Sequence, residues 1–276
     1  NGSYSPADSL FLPGVGSIAA TAGDLNGDGR PDFVLANSQR LKGREGGIYN
    51  IVDTVQLDSF IFWNSAQGFD PARRTGLPTV AASDATIGDL DHDGWPEVIF
   101  ANNQGDASYV YWGSPEGFLP RRRLALPTNS ARAVLATDLN RDGYTDLVFA
   151  QFNLGASFDT DSFIYWGGPQ GPDAARRQGI PTSGATAVVA ADLNNQGRHD
   201  LIFINKQDGT GAETPASLYL SDLNDPSIFS LARRIEVDTR GVESYSAGDL
   251  NLDGRTDLII PGSNGVSIYW GGESGY

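Results

Sequence analysis

Five nine-residue segments gather the oxygen-bearing side chains of this chain at a spacing suited to holding a metal ion. They are Asp24–Asp32 (DLNGDGRPD), Asp89–Glu97 (DLDHDGWPE), Asp138–Asp146 (DLNRDGYTD), Asp192–Asp200 (DLNNQGRHD) and Asp249–Asp257 (DLNLDGRTD). Oxygen side chains fall at positions 1, 3 and 5, a glycine at 6 and a carboxylate at 9. A chain that curls about one point brings positions 1, 3 and 5 together, and the glycine permits the tight turn. Position 7 then offers its carbonyl, and the acid at position 9 closes the shell. The expected ligands are Asp24, Asn26, Asp28, the Arg30 carbonyl and Asp32; Asp89, Asp91, Asp93, the Trp95 carbonyl and Glu97; and Asp138, Asn140, Asp142, the Tyr144 carbonyl and Asp146. They continue with Asp192, Asn194, Gln196, the Arg198 carbonyl and Asp200, then Asp249, Asn251, Asp253, the Arg255 carbonyl and Asp257. Hard oxygen donors in such a loop select Ca²⁺ over zinc or copper, and suit it better than the smaller Mg²⁺. The expectation is four to five Ca²⁺ ions. The fourth loop has Gln196 where the others have Asp, which leaves it two carboxylates and makes it the weakest site.

The same loops account for the charge. The chain has 276 residues with 34 acids, 19 Lys and Arg, and a formal charge of −15. The ligand positions hold 3, 4, 3, 2 and 3 carboxylates, fifteen in all, so the remaining 19 acids match the 19 bases. Such a balance argues against nucleic-acid binding or adhesion to an anionic membrane, which need a basic face. No apolar run is long enough to insert in a membrane. The absence of cysteine excludes disulfides, thiolate zinc sites and thiol nucleophiles. The two histidines, His92 and His199, both lie within the acidic loops, away from any nucleophile pattern. No carboxylate pair is marked out for glycoside hydrolysis. The expectation is a protein that is not an enzyme.

The elements that position the loops repeat with them. An apolar run follows each loop: FVLA from Phe33, VIFA from Val98, LVFA from Leu147, LIFI from Leu201 and LIIP from Leu258. An aromatic element comes next: FIFWNS at Phe60, YVYWGS at Tyr109, FIYWGG at Phe163, LYLSD at Leu218 and SIYWGG at Ser267. RRTGLPT, RRRLALPT, RRQGIPT and RRIEVDT begin at Arg73, Arg121, Arg176 and Arg233. Short runs of Val, Ile, Phe and Tyr bounded by Gly, Asp and Pro are strands. With one strand before each loop, for example Ala133–Thr137, every unit has four. Four strands per unit of about 50 residues describe a β-propeller blade. The fold class is all-β, a single five-bladed propeller over residues 1–276. Ser9–Gly14 (SLFLPG) aligns with the fourth-strand pattern, whereas the fifth unit has no fourth strand of its own. Residues 1–14 are therefore expected to complete the last blade, either closing a ring within one chain or passing to a neighbouring subunit. Insertions interrupt the first unit between Asn37 and Asp58 and the fourth at Asp208–Pro215.

Trp63, Trp112, Trp166 and Trp270 share one position of the third strand, with Leu220 in the fourth unit. Packing between blades is the expected use, ahead of sugar stacking. The recurring Arg pairs read as charge that guards an outer edge strand. Asn1-Gly2-Ser3 matches an N-glycosylation sequon. Together, the loop motif and the Tyr-Trp-Gly element resemble the FG-GAP/VCBS repeat family, the calcium-binding propellers similar to integrin α-subunit heads and some fungal lectins. The resemblance covers nearly the whole chain. It implies that calcium loops join strands one and two and stiffen the ring, in an extracellular or cell-surface setting. Better-known relatives have about seven blades where this chain has five units. The reading is a non-enzymatic structural or adhesion module, able to assemble through its first strand. The alternative is a carbohydrate-binding lectin, with glycoside hydrolase a weaker one. Its expected partners are Ca²⁺, a second copy, and glycans or a surface protein.

Overall fold

The computed structural model describes residues 9–38, 40–45, 48–52, 56–206, 214–222, 224–225, 229–238, 246–262 and 265–272. The first unit comprises β1 (Ser17–Gly23), β2 (Asp32–Asn37), β3 (Arg40–Glu45), β4 (Ile48–Val52), β5 (Leu57–Phe62) and β6 (Arg74–Thr79). The second has β7 (Ala82–Gly88), β8 (Glu97–Asn102), β9 (Ala107–Tyr111) and β10 (Arg123–Pro127). The third has β11 (Ala131–Thr137), β12 (Asp146–Gln151), β13 (Asp159–Tyr165) and β14 (Arg177–Ser183). The fourth has β15 (Ala185–Ala191), β16 (Asp200–Asn205), β17 (Ala216–Tyr219) and β18 (Arg234–Val237), and the fifth β19 (Ser246–Gly248), β20 (Asp257–Gly262) and β21 (Gly265–Tyr269). Units one to four each form a four-stranded antiparallel meander, and the described part of the fifth forms three strands in the same order. The only helical elements among the described residues are two short 3-10 turns, Ala174–Arg176 and Leu231–Arg233. The insertion in unit one folds in part as a separate hairpin, β3–β4. The insertion in unit four lies mostly outside the described residues, as does the Asn1 sequon.

The apolar second strands sit between neighbouring blades. β8, β12 and β16 are buried at all six positions, which is why they read as continuous apolar runs rather than alternating ones. Four successive clusters join blade one to two, two to three, three to four and four to five. The first-strand pairs β1–β7, β7–β11 and β11–β15 pack side by side. Trp63, Trp112 and Trp166 serve these seams, as expected, whereas Trp270 is exposed. Trp63 lies 6.2 Å from Phe118 of the next blade. Trp166 stacks on Phe229 of the next blade at 6.5 Å and 18°. Trp112 closes over Gly171 so tightly that a Cβ there would lie 2.6 Å from the indole.

A second link runs across the same seams. The third-strand tyrosines reach back one blade: Tyr111 donates to the Pro78 carbonyl, Tyr165 to Pro127 and Tyr219 to Pro181. Those prolines are the centre of the Leu-Pro-Thr elements, or Ile-Pro-Thr for Pro181. The threonines after Pro78, Pro127 and Pro181 bind within their own blades. Thr79, Thr128 and Thr182 each meet a third-strand serine (Ser59, Ser108, Ser162) at 2.8 Å, inside the core. Each serine also accepts the main-chain N–H of Asn37, Asn102 or Gln151 at 3.1 Å. Thus the element pins its own sheet through Thr and the following sheet through Pro.

The recurring arginines do more than guard an edge. Arg74, Arg123 and Arg177 lie 4.3, 4.0 and 4.1 Å above the rings of Phe60, Tyr109 and Phe163 on the adjacent strand. Each places a cation over an aromatic face.

The fifth blade differs. Ser9–Gly14 is not in a strand, and the edge of β21 carries no fourth strand among the described residues. Apolar groups that are covered in the other blades are open here. Leu250 is 48% exposed, whereas its counterparts Leu25, Leu90, Leu139 and Leu193 are at most 2% exposed. Trp270, Val266 and Ile268 are likewise exposed.

The Tyr–Pro bond makes a direct prediction. Tyr165→Phe should lower unfolding free energy by about 1 kcal/mol, because the Pro127 carbonyl loses its partner. Chemical denaturation at fixed calcium measures it.

Candidate metal centres and their buried staple

Each acidic loop links the first and second strands of its blade. The local geometry follows from competition for backbone N–H groups. The first-position carboxylate acts as an acceptor for the turn around it. Asp24 accepts from Asn26, Gly27 and Asp28 through Oδ1 and from Gly29 through Oδ2. Asp138, Asp192 and Asp249 repeat the bonds to positions 5 and 6. These donors, Gly29 first, hold the Asp24 carboxyl below its usual range. Third-position oxygens of Asn26, Asp91, Asn140, Asn194 and Asn251 accept from position 5. The Gln196 N–H donates to Asp192 and Asn194 as the Asp142 N–H donates to Asp138 and Asn140, so this part of the curl does not depend on a fifth-position carboxylate.

The sixth-position glycines all have positive φ, from 76° to 89°. Position 4 does too: Gly27 at 71°, but also His92, Arg141, Asn195 and Leu252 between 54° and 61°. The sequence offers glycine at position 4 only in loop one, so this second left-handed residue was not legible in it. A left-handed non-glycine residue carries strain that the surrounding bonds must offset.

The ninth-position acid has a role that the ligand pattern does not reveal. Asp32, Glu97, Asp146, Asp200 and Asp257 are all fully buried. One carboxylate oxygen of each accepts the N–H of the loop's second residue: Leu25, Leu90, Leu139, Leu193 and Leu250, at 2.7–3.1 Å. The other accepts an N–H just after the third strand: Asn64, Gly113, Gly167, Ser221 and Gly271, at 2.7–3.2 Å. The carboxylate therefore staples loop to sheet. The glycine of Tyr-Trp-Gly serves this staple. A Cβ at Gly113, Gly167 or Gly271 would lie 2.4–2.5 Å from the carbonyl of Pro96, Thr145 or Thr256 on the loop.

Burial without a counter-ion is costly for these acids. Desolvation raises the carboxyl of Glu97 from 4.5 to about 7 and that of Asp146 from 3.8 to about 6, against the lowering effect of their N–H donors. Asp32 and Asp200 move upward for the same reason. A divalent cation at the loop would supply the missing positive charge. The donor set fits one. In loop two, ligand oxygens of Asp89, Asp91 and Glu97 lie within 4.8 Å of one another. Asp89 Oδ1 is buried there with no hydrogen-bond partner. The structure thus brings Asp89, Asp91 and Glu97 together, while Asp89 Oδ2, Asp91 and Asp93 accept backbone N–H groups as their counterparts in other loops do.

Neighbouring loops also touch. His92 stacks on Tyr144 at 5.3 Å and 17°, and Thr137 meets His199 at 3.4 Å. His92 thereby joins loops two and three, and His199 joins loop four to the end of β11. Trp95 is half-buried rather than a free platform.

Two measurements follow. In chelator, Asp146→Ala should still cost about 2 kcal/mol, because it orphans the buried N–H groups of Leu139 and Gly167; a pure metal ligand would show no cost there. The pH dependence in chelator should also run opposite to that of a salt-bridged acid. A carboxyl whose folded pKa is raised holds its proton more tightly when folded. Its contribution is most favourable below the ordinary 4.5 of Glu97 and 3.8 of Asp146, and declines as pH climbs to about 7 and about 6. Melting scans in chelator across that window should show falling stability.

Comparisons with known proteins agree with this architecture. The FG-GAP-like repeat matches residues 89–149 and 138–203, and the FG-GAP repeat matches residues 15–50. A search of curated proteins found no match. Among solved structures, the V. cholerae biofilm matrix protein Bap1 aligns with TM-score 0.51 at 15% identity, covering 92% of this chain and 37% of that one. The chain therefore spans a little over a third of that protein's length. BBS1N, in a complex with ARL6DN, aligns with TM-score 0.46 at 10% identity, over 94% of this chain and 80% of the other. With matches over more than half of its length, the chain belongs to the FG-GAP repeat family.

Proposed function

We propose that this chain is a calcium-stiffened, non-enzymatic structural or adhesion module that works outside the cell. The observation that carries the reading is the unpartnered, buried Asp89 Oδ1 beside Asp91 and Glu97. A buried carboxylate oxygen with no donor is well matched to a hard cation. The ion would be held by positions 1, 3, 5 and 9 and the carbonyl of position 7, in all five loops, with loop four weakest. Its contribution would be charge compensation for the ninth-position staple. Extracellular modules of this ligand type bind calcium at about 10⁻⁴ to 10⁻³ M, which suits a calcium-rich exterior. The fold likeness to a biofilm matrix protein supports the same setting. Among the described residues no helix is long and apolar enough to cross a membrane, which is compatible with it.

Assembly through the fifth blade belongs to the same reading. Leu10 and Phe11 are 54% and 80% exposed, and β21 exposes Val266 and Ile268. Laid along β21, residues 9–14 would give the fifth sheet the fourth strand that the other four possess. The donor is either the same chain, closing a ring, or a neighbouring copy. Light scattering at several concentrations separates the two: a mass that rises with concentration and falls on deleting residues 1–14 marks exchange. If deletion changes neither mass nor stability, the strand has no such role.

Calcium itself is tested by melting. A site held at 100 times its Kd adds about 2.7 kcal/mol to the folded state. Excess calcium should therefore raise Tm by several degrees and EDTA should reverse it. Asp142→Ala should shrink that gain while leaving the melt in EDTA nearly unchanged. Identical melts with and without calcium would refute the metal assignment.

A further inference from the structure

The first strands share an irregularity whose position is constant. The register of β1 with β2 shifts between Ser17 and Ala19, that of β7 with β8 between Ala82 and Asp84, that of β11 with β12 between Ala131 and Ala133, and that of β15 with β16 between Ala185 and Ala187. The extra residues are Ile18, Ser83, Arg132 and Thr186, each six positions before the first Asp of its loop. Bulges of this kind re-aim a side chain away from the ladder. Here all four line one cavity of about 440 Å³, together with Lys206. The equivalent residue of unit five, Glu243, lies outside the described residues.

The cavity's chemistry is opposite to the protein's charge. In a chain of formal charge −15 with only two lysines, this cavity carries Arg132 and Lys206. The Arg132 guanidinium lies 4.5 Å above the Phe152 ring. Its Nε is buried with no hydrogen-bond partner. Burial alone pushes its pKa down, with no carboxylate offsetting it. Asp84, beside Ser83, is occupied by the N–H groups of Ala85 and Val134. A guanidinium at a cavity wall whose Nε lacks an acceptor is a binding determinant for a planar anion, above all a carboxylate. The hydroxyls point to the rest of the ligand. Ser83 donates its one proton to the Ala131 carbonyl at 2.6 Å, with the Ala101 carbonyl at 3.1 Å sharing it, and Thr186 donates to that of Ile204. With their protons committed, both oxygens present lone pairs that accept from ligand hydroxyls. The volume suits a molecule of monosaccharide size.

We infer that this cavity, built by four equivalent bulges, binds a small hydroxylated carboxylate, with Arg132 taking the carboxylate and Ser83 and Thr186 accepting from its hydroxyls. This site is independent of the calcium loops and of the assembly reading above.

The test is calorimetric titration of the calcium-loaded full chain with D-glucuronate, D-glucose and inorganic phosphate. Glucuronate should bind, and glucose and phosphate should bind at least roughly tenfold more weakly. Arg132→Gln should weaken glucuronate roughly ten- to hundredfold while the calcium-loaded melt stays close to that of the parent. Arg132→Lys keeps the charge but loses the fork, so it should retain only part of the affinity. If Arg132→Gln fails to fold, Thr186→Val serves instead, and it should weaken glucuronate more than phosphate. Any of three results overturns the inference: no binding of glucuronate, equal binding by parent and Arg132→Gln, or phosphate binding as tight as glucuronate.

Discussion

A fully buried carboxylate that accepts two backbone N–H groups holds each blade of this molecule together. The ninth-position acid joins the start of the loop to the end of the third strand, across the second strand that carries it. Without it, two buried N–H groups per blade would lack partners, a cost in kilocalories rather than tenths. With it, a negative charge sits out of water in every blade. The raised carboxyls of Glu97 and Asp146 record that conflict. A cation bound at the mouth of the loop would remove it. With a cation bound, the structural staple and the ion would be two halves of one electrostatic arrangement.

The seams between blades extend the same logic. Each blade is a thin sheet that cannot bury both faces alone, so its stability depends on its neighbours. Three kinds of contact repeat at the seams: a tryptophan laid over the next blade, a tyrosine hydroxyl reaching the preceding Pro carbonyl, and a second-position leucine beneath the loop. They are directional, so every inner blade gives in one sense and receives in the other. Blade one has Phe62 where the others have tyrosine. Blade five has Leu250 and Trp270 open where the others are covered. The exposed apolar surface lies where the repeated contact has no partner among the described residues.

Much of this was legible in the residues. The five loops, the apolar second strands and the Tyr-Trp-Gly and Leu-Pro-Thr elements were each visible as local patterns, and the structure places them in the expected strands. The preference for packing over sugar stacking at Trp63, Trp112 and Trp166 also agrees with the seams. Other features had no local signature. His92, Arg141, Asn195 and Leu252 adopt a left-handed conformation that their side chains do not announce. The hairpin β3–β4 sits inside what reads as an insertion. The arginines that read as edge charge lie over aromatic rings, because the pleat brings adjacent strands within reach of one another.

By itself, the sequence determined the repeat, the strand segments, the curl of each loop and the number of acidic cages. All of these depend on residues within about nine positions of one another, where spacing dictates geometry. Only the tertiary structure decided what the conserved-looking chemistry is paired with. The ninth-position acid meets an N–H up to 32 residues away, the tyrosines meet prolines up to 38 residues away, and the bulged side chains converge from four different blades. Such partners are set by how successive sheets pack against one another. That packing depends on burying both faces of every blade at once, a condition on the whole assembly of sheets that no single segment contains.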